Sequence, residues 1–330
     1  MAHESSQPAP VLITTYTRYN HLRQTVEALR ENYLADQTDL FIASDYPKID
    51  TDKEAVDKIR DYLGQIAGFK SVIPILREKN HGFEENFLKS KNHIYEHYDR
   101  IIFMEDDIVT APGFLKFIND GLDAYQDNQS VYAICGYLYD SYRQFVSNSN
   151  QVFLDIFNAW GYGTWRDKDR NIERGPELSR RFLRSPKLFF LMNCTAPPLF
   201  QIAIASAENN LVAEDLDFTL NMIEKKKCCV FPFKSLVRNI GFDGSGVHCG
   251  KLYQDQYINQ EIYLEIIEIE ALKETFVTEK NRKATYRHHG GTPYMLKSFA
   301  KMFTRFWAKL LLPPIIYEKA RAYFLIRYIK

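Results

Sequence analysis

The 330-residue sequence is defined first by what it does not contain. It has no run of about 20 apolar residues, so no segment is expected to span a bilayer. Its first ten residues, Met1 to Pro10, are polar and hold no apolar signal-peptide core. Cysteine is scarce: Cys135, Cys194, Cys228, Cys229 and Cys249 make an odd number with no CxxC pair, and adjacent Cys228 and Cys229 would form a strained bridge. We read them as reduced thiols of a cytosolic protein, not as a disulfide frame or a zinc site. Net charge is also missing. The 42 basic residues balance 42 acidic ones, which gives no reason to expect a nucleic-acid partner. No GxGxxG follows the first apolar run and no GxxxxGK[ST] occurs, which disfavours a dehydrogenase-type dinucleotide fold and removes the P-loop reading.

What is present alternates. Val11–Thr15 reads as a short buried strand, followed by a helical pattern with Leu22, Val26, Leu29 and Tyr33 on one face and Asn20 as its expected N-cap. Leu40–Ser44 is a second strand ending at Asp45, and Thr51 with Glu54 is a candidate capping box for a helix to about Leu63. Val72–Leu76 is a third strand, with Pro74 arguing for an edge or a bulge. Asn80-His-Gly82 opens a further helix, Phe83 to Tyr98. This β-α-β-α-β-α-β order predicts an α/β fold with a mostly parallel sheet wrapped by helices. We expect a nucleotide-binding half over 1–130, an acceptor and catalytic half over 131–250, and a helical region over 251–330.

The chain reads as organised around Arg100–Pro112. Ile101 to Met104 run without a polar break, as in a strand buried on both faces. That strand runs into three consecutive carboxylates, Glu105, Asp106 and Asp107. Like charges at close range repel, and a divalent cation is a common compensation at the carboxyl end of a strand, where open α/β sheets bind ligands. A polar turn, with Asp107 in an Asx-turn and Pro112 starting the next helix, is the plainer alternative.

Three later stretches carry similar choices. Phe157–Trp165 is rich in glycine and aromatics, and its glycines let backbone approach a ligand, with Trp160, Tyr162 and Trp165 as platforms; a structural turn packed by aromatics explains it equally. Ala213–Leu220 opens an amphipathic helix whose acids Glu214, Asp215 and Asp217 can be simple partners of the helix dipole. Gly241–Gly250 is a flexible loop with one histidine, His248, suited to folding over a ligand or to facing solvent. Farther on, Lys297, Lys301, Arg305 and Lys309 recur at every fourth position, with Phe299, Phe303, Phe306, Trp307 and Leu310 between them. Such a segment, continued to Lys330, can lie on an anionic membrane or pack on its own domain.

Taken in order, the Glu105-Asp106-Asp107 triplet, the Trp160-Gly-Tyr-Gly163 stretch, the Glu214-Asp215 pair and His248 resemble a GT-A-fold glycosyltransferase. The likeness runs from about Val11 to Gly250. It is to the N-acetylglucosaminyltransferase I family and, at the N-terminus, to family 2 glycosyltransferases. The resemblance implies a Rossmann-like GT-A fold, a UDP-sugar donor and a Mn²⁺ or Mg²⁺ cofactor. It places the cation on Asp107, with His248 as a further ligand, and the donor against Glu105 and Asp106. Thr15, Arg18 and Asp45 fall at the nucleotide, Gly161 and Gly163 at the ligand-facing backbone, and Asp215 at the catalytic base of an inverting transfer. The implied reaction moves a hexosyl or N-acetylhexosaminyl group, N-acetylglucosamine being one candidate, to a glycan or lipid-linked acceptor in surface polysaccharide assembly. The expected location is the cytoplasm, peripherally on the inner membrane face through 297–330. Two rivals are a non-catalytic glycan-binding module that keeps the fold and a sugar-nucleotidyltransferase. The second would want a glycine-rich loop after the first strand, and Thr14–Asn20 has none.

Overall fold

The computed structural model describes residues 7–142, 150–210, 212–244, 257–272, 275–313 and 316. The first half alternates as its periodicity predicts: β1 (Val11–Thr15), α1 (Tyr19–Arg30), β2 (Asp39–Ser44), α2 (Lys53–Leu63), β3 (Ser71–Leu76), α3 (Gly82–Ile94) and β4 (Arg100–Glu105). After it come β5 (Ile108–Thr110), α4 (Phe114–Ala124), β6 (Val131–Cys135), β7 (Gln151–Leu154) and β8 (Tyr162–Trp165). The chain continues through α5 (Arg166–Arg170), α6 (Pro176–Arg184), α7 (Pro186–Thr195), α8 (Leu199–Asn209), α9 (Glu214–Lys225), β9 (Cys228–Pro232) and β10 (Val237–Asn239). Two further helices are α10 (Glu279–His288) and α11 (Gly291–Leu311).

Eight strands form one mixed, mostly parallel sheet in the order β3-β2-β1-β4-β8-β6-β9-β7, flanked by helices. The β1–β2, β2–β3, β1–β4 and β6–β9 pairs are parallel. Strand β8 is antiparallel to both β4 and β6. Strands from both expected halves therefore share one sheet, and residue 130 lies between neighbouring parts of it. Pro74 sits in β3, the edge strand, where its missing N–H leaves no central ladder incomplete.

Strand β4 is buried on both faces, as its unbroken apolar run requires. Ile102 and Met104 enter one core with Leu22, Val26 and Phe114, while Ile101 and Phe103 enter the opposite one with Phe87 and Tyr162. A third cluster joins Leu178, Phe182, Leu216 and Leu220, so the apolar face read in Leu216 and Leu220 does bury.

Three local expectations are corrected. The Leu22 N–H donates to the Arg18 carbonyl at 3.0 Å, so α1 is entered at Arg18, two residues early, and Asn20 lies inside it instead of capping it. Residues Asp50–Asp52 form a 3-10 turn leading into α2 without a side-chain cap, so Thr51 and Glu54 form no capping box. The glycine-rich stretch read as a loop or turn contains β8, a strand in the middle of the sheet. There the missing side chains serve packing. A Cβ on Gly163 would come within 2.5 Å of Ile118 Cγ2 on α4, which explains why β-propensity alone hides this strand.

Candidate active site at the carboxyl end of β4

The acidic triplet is held by backbone before any side chain acts. β5 pairs with β10, and this short ribbon fixes the turn that follows β4. The Asp107 carbonyl accepts from the Ile240 N–H at 2.9 Å, and the Asp106 carbonyl from the Thr25 hydroxyl at 2.8 Å. Asp106 and Asp107 are both buried. Asp106 Oδ2 accepts from the Thr15 hydroxyl at 2.9 Å, and its Oδ1 from Arg18 Nη2. The same Nη2 donates to Asp107 Oδ2 at 2.7 Å. Thr15, Arg18, Asp106 and Asp107 thus meet at one place, the end of β1 against the end of β4.

A divalent cation is the expected compensation for these acids, and Arg18 supplies part of it from within the chain. One guanidinium still faces three carboxylates. Burial, followed by the charges of Asp107, Asp215 and Asp106, holds the Glu105 carboxyl well above the usual range. Burial also raises Asp106, with Arg18 opposing it. Burial works against the charge of Arg18, but the two aspartates outweigh it and raise its pKa. Asp107 Oδ1 is buried and, among the described residues, has no hydrogen-bond partner. Beside it, a Cβ on Gly241 would fall 1.9 Å from Asp107 Oδ2, so only glycine lets this backbone pass.

Among the described residues, no three His, Cys, Asp or Glu side chains are gathered to enclose a metal ion. The donors at the triplet nonetheless fit one. An orphaned carboxylate oxygen in an acidic, all-oxygen setting suits Mg²⁺ or Mn²⁺, which keep waters and take phosphate oxygens to complete their shells. His248, expected as a ligand, lies outside the described residues.

Asp215 stands in the first turn of α9, and its Oδ1 accepts from the Ala159 N–H at 2.8 Å. The residue is open to solvent, while protein atoms crowd around its carboxyl. Loss of solvating water there pushes its pKa up to about 7, the Ala159 N–H opposing and the Glu214 charge adding to the rise. The charge of Asp215 reaches Glu105, so Asp215 and the triplet share one electrostatic environment. Tyr139 feels the same charge: burial raises its hydroxyl, the Asp215 charge adds to that, and Asn158 hydrogen-bonds to it. Neither Tyr139 nor Asn158 is part of any motif, and only the aromatic density of the region hinted at them.

The other expected residues have different neighbours. Both carboxylate oxygens of Asp45 are taken up by the backbone N–H groups of Tyr46, His81 and Gly82 and by Asn80 Nδ2, at 2.8–3.2 Å. Asp45 ties the end of β2 to the start of α3, and its acceptor capacity is already used. Gly161 has a φ of +75°, and a Cβ there would press on Phe114 at 3.0 Å. The space that Gly161 and Gly163 leave is filled by α4, so packing accounts for the missing side chains at both positions.

No family model and no curated protein matches the chain. Among solved structures it is similar to the mannosyltransferase PcManGT from Pyrobaculum calidifontis in complex with GDP-Man and Mn2+, at 12% identity and a TM-score of 0.47, over 98% of this chain and 82% of that one. It is also similar to S. aureus TarS, at 14% identity and a TM-score of 0.33, over 52% of this chain and 31% of that one. Neither likeness is close enough to bear on function, which rests on the site.

Proposed function

We propose that the chain is a metal-dependent, inverting glycosyltransferase that moves a hexosyl or N-acetylhexosaminyl group from a UDP-sugar to a glycan or lipid-linked acceptor. The observation that carries this reading is Asp107 Oδ1, without a partner among the described residues, in a carboxylate cluster that shares its electrostatics with a solvent-reached Asp215. Asp107, beside Asp106, would hold the cation, and a bound divalent ion supplies a counter-charge for the departing diphosphate. Arg18 adds a second, covalently fixed positive charge at that end. Asp215 Oδ2 takes the proton from the acceptor hydroxyl, whose oxygen bonds to the anomeric carbon as the sugar–phosphate bond breaks. Attack from the face opposite the leaving group inverts the anomeric configuration, giving a β-linkage from an α-linked donor.

The Asp215 pKa sets the pH dependence. A base works only when ionised, and its folded-state value lies at about 7. Transfer is therefore expected to lose about tenfold per pH unit below that point and to level off above it. A pH profile of kcat/KM at saturating metal checks this, and a rate unchanged down to about pH 5 would remove Asp215 as the base.

One observation favours the non-catalytic rival. Arg18 already binds both Asp106 and Asp107, as in a fold that has replaced its cation by an internal ion pair. A panel of nucleotide-sugars screened for metal-dependent hydrolysis separates the two, since a binding module releases no UDP from any of them.

A membrane-facing role for the C-terminal region belongs to the same reading. Among the described residues no helix is long and apolar enough to cross a bilayer. Helix α11 buries Ser298 and packs Phe299 on Phe189, while Leu296, Phe303, Trp307 and Leu311, spaced along one face, stay exposed. From Lys297 to Lys330 there are eight Lys or Arg and one acid, Glu318. At about 1 kcal/mol per basic residue near an anionic surface, this composition suits peripheral attachment. The protein is expected to float with phosphatidylglycerol vesicles and not with phosphatidylcholine ones, and the Phe303→Asp, Trp307→Asp double variant to stay behind. Equal recovery with both vesicle types would refute it.

A further inference from the structure

The Glu214-Asp215 pair divides its labour. Asp215 meets solvent, whereas Glu214 turns into the protein and joins Lys91, Asp169 and Arg174 in a largely buried quartet of balanced charge. Arg174 is its hub. Its Nε donates to Glu214 Oε2 at 3.0 Å and its Nη2 to Glu214 Oε1 at 2.9 Å and to Asp169 Oδ1. Its Nη1 donates to the carbonyls of Asp169 and Ile172, at 3.0 and 3.3 Å. These five bonds use all five donors of the guanidinium, a geometry that a lysine cannot reproduce.

The same segment grips α9 at two further points. The Gly175 N–H donates to Asp217 Oδ2 at 3.0 Å, and the Glu173 N–H donates to Asn221 Oδ1 at 3.1 Å. The side chains that grip residues 173–175, at 214, 217 and 221, follow helical spacing along one face of α9. On the other side, Phe157 and Ala159 donate to Thr219 and Asp215. The first turn of α9 is thus held from both sides, with Asp215 as the only one of its acids turned outward.

We propose that residues 169–175 form a clip in which Arg174 is a positioning residue, fixing the direction of Asp215 through its bidentate hold on Glu214. This rests on the enzymatic reading given above. Groups acting on Glu214 from the elements around it are Lys91 and Glu84 on α3, Asp169 on α5, Tyr162 on β8 and Arg174 itself. Removing one charge leaves the others unbalanced, so the test includes a neutral pair.

Arg174→Met, Arg174→Lys and the double variant Arg174→Met, Glu214→Gln are to be compared with the parent by hydrogen exchange at the amides of 214–219, by UDP titration in Mn²⁺, and by turnover. The double variant and Arg174→Lys are expected to exchange about tenfold faster in this turn. UDP affinity should stay within about twofold, and kcat should fall by about tenfold or more with donor KM little changed, Arg174→Lys recovering only part. Parent-like exchange in the double variant would overturn the clip, as would unchanged kcat, or a loss confined to donor KM. Should the parent hydrolyse no nucleotide-sugar, the enzymatic reading fails, while the exchange measurement alone still decides whether Arg174 fixes this turn.

Discussion

Replacing Asp215 by Asn is expected to cut sugar transfer by ~10²–10⁴ while leaving UDP binding in Mn²⁺ unchanged. The size follows from the role. A positioned base is worth about that much when the proton leaves in the rate-limiting step. The selectivity follows from the geometry. Asp215 contacts the protein through the Ala159 N–H at its Oδ1, and an Asn side-chain oxygen can accept the same bond. The amide is also nearly isosteric and relieves the unfavourable charge that burial imposes at this position. The variant should therefore fold at least as well as the parent, so lost turnover would reflect lost base. Parallel titration of UDP and measurement of transfer on one preparation checks both halves. Turnover within about threefold of the parent would remove the residue from the mechanism.

Asp107→Ala is expected to abolish metal-dependent binding of the nucleotide-sugar. The substitution removes the triplet's buried carboxylate oxygen that has no partner among the described residues, the proposed hard donor of the site. It also frees Arg18 from one of its two carboxylates, leaving Asp106 as its partner. Breaking one partner from a buried pair generally costs several kcal/mol, so stability must be measured alongside. Asp107→Asn keeps the volume and an acceptor for Arg18 but loses the charge. It is expected to fold close to the parent and still to show little dependence of UDP affinity on Mn²⁺. Retained Mn²⁺-dependent binding in Asp107→Asn would place the cation elsewhere.

How far these residues could be read from sequence depends on whether their signal is local. Strands β1, β2 and β4 are apolar runs buried on both faces, and such a strand needs nothing else to announce it; β3, the partly exposed edge strand, is announced by its short apolar run alone. The triplet was legible for the same reason: acids placed side by side after such a run demand an explanation. Strand β8 was not, because Gly163 within it and Gly161 just before it owe their identity to α4, which lies more than forty positions earlier in the chain. Asp45 looked like a ligand contact because the end of β2 lies where nucleotides bind. Its four donors arrive from residues 46 and 80–82, a closure that no motif encodes. The separation of Glu214 from Asp215 was likewise invisible. Both are acids in one first turn, and only Arg174 and Lys91, forty or more positions away, decide which one points inward. Arg18 does lie against these acids, and its direct hold on them depends on how β1 and β4 pair.

The central claim is that the acids at the end of β4 bind a nucleotide diphosphate through a divalent cation, despite Arg18. Calorimetric titration of the parent protein with UDP, once in Mn²⁺ and once in chelator, addresses that directly. The account predicts saturable binding in Mn²⁺ that weakens at least about tenfold in chelator, a difference of about 1.4 kcal/mol. Equal affinity in both conditions, or no binding in either, would contradict it.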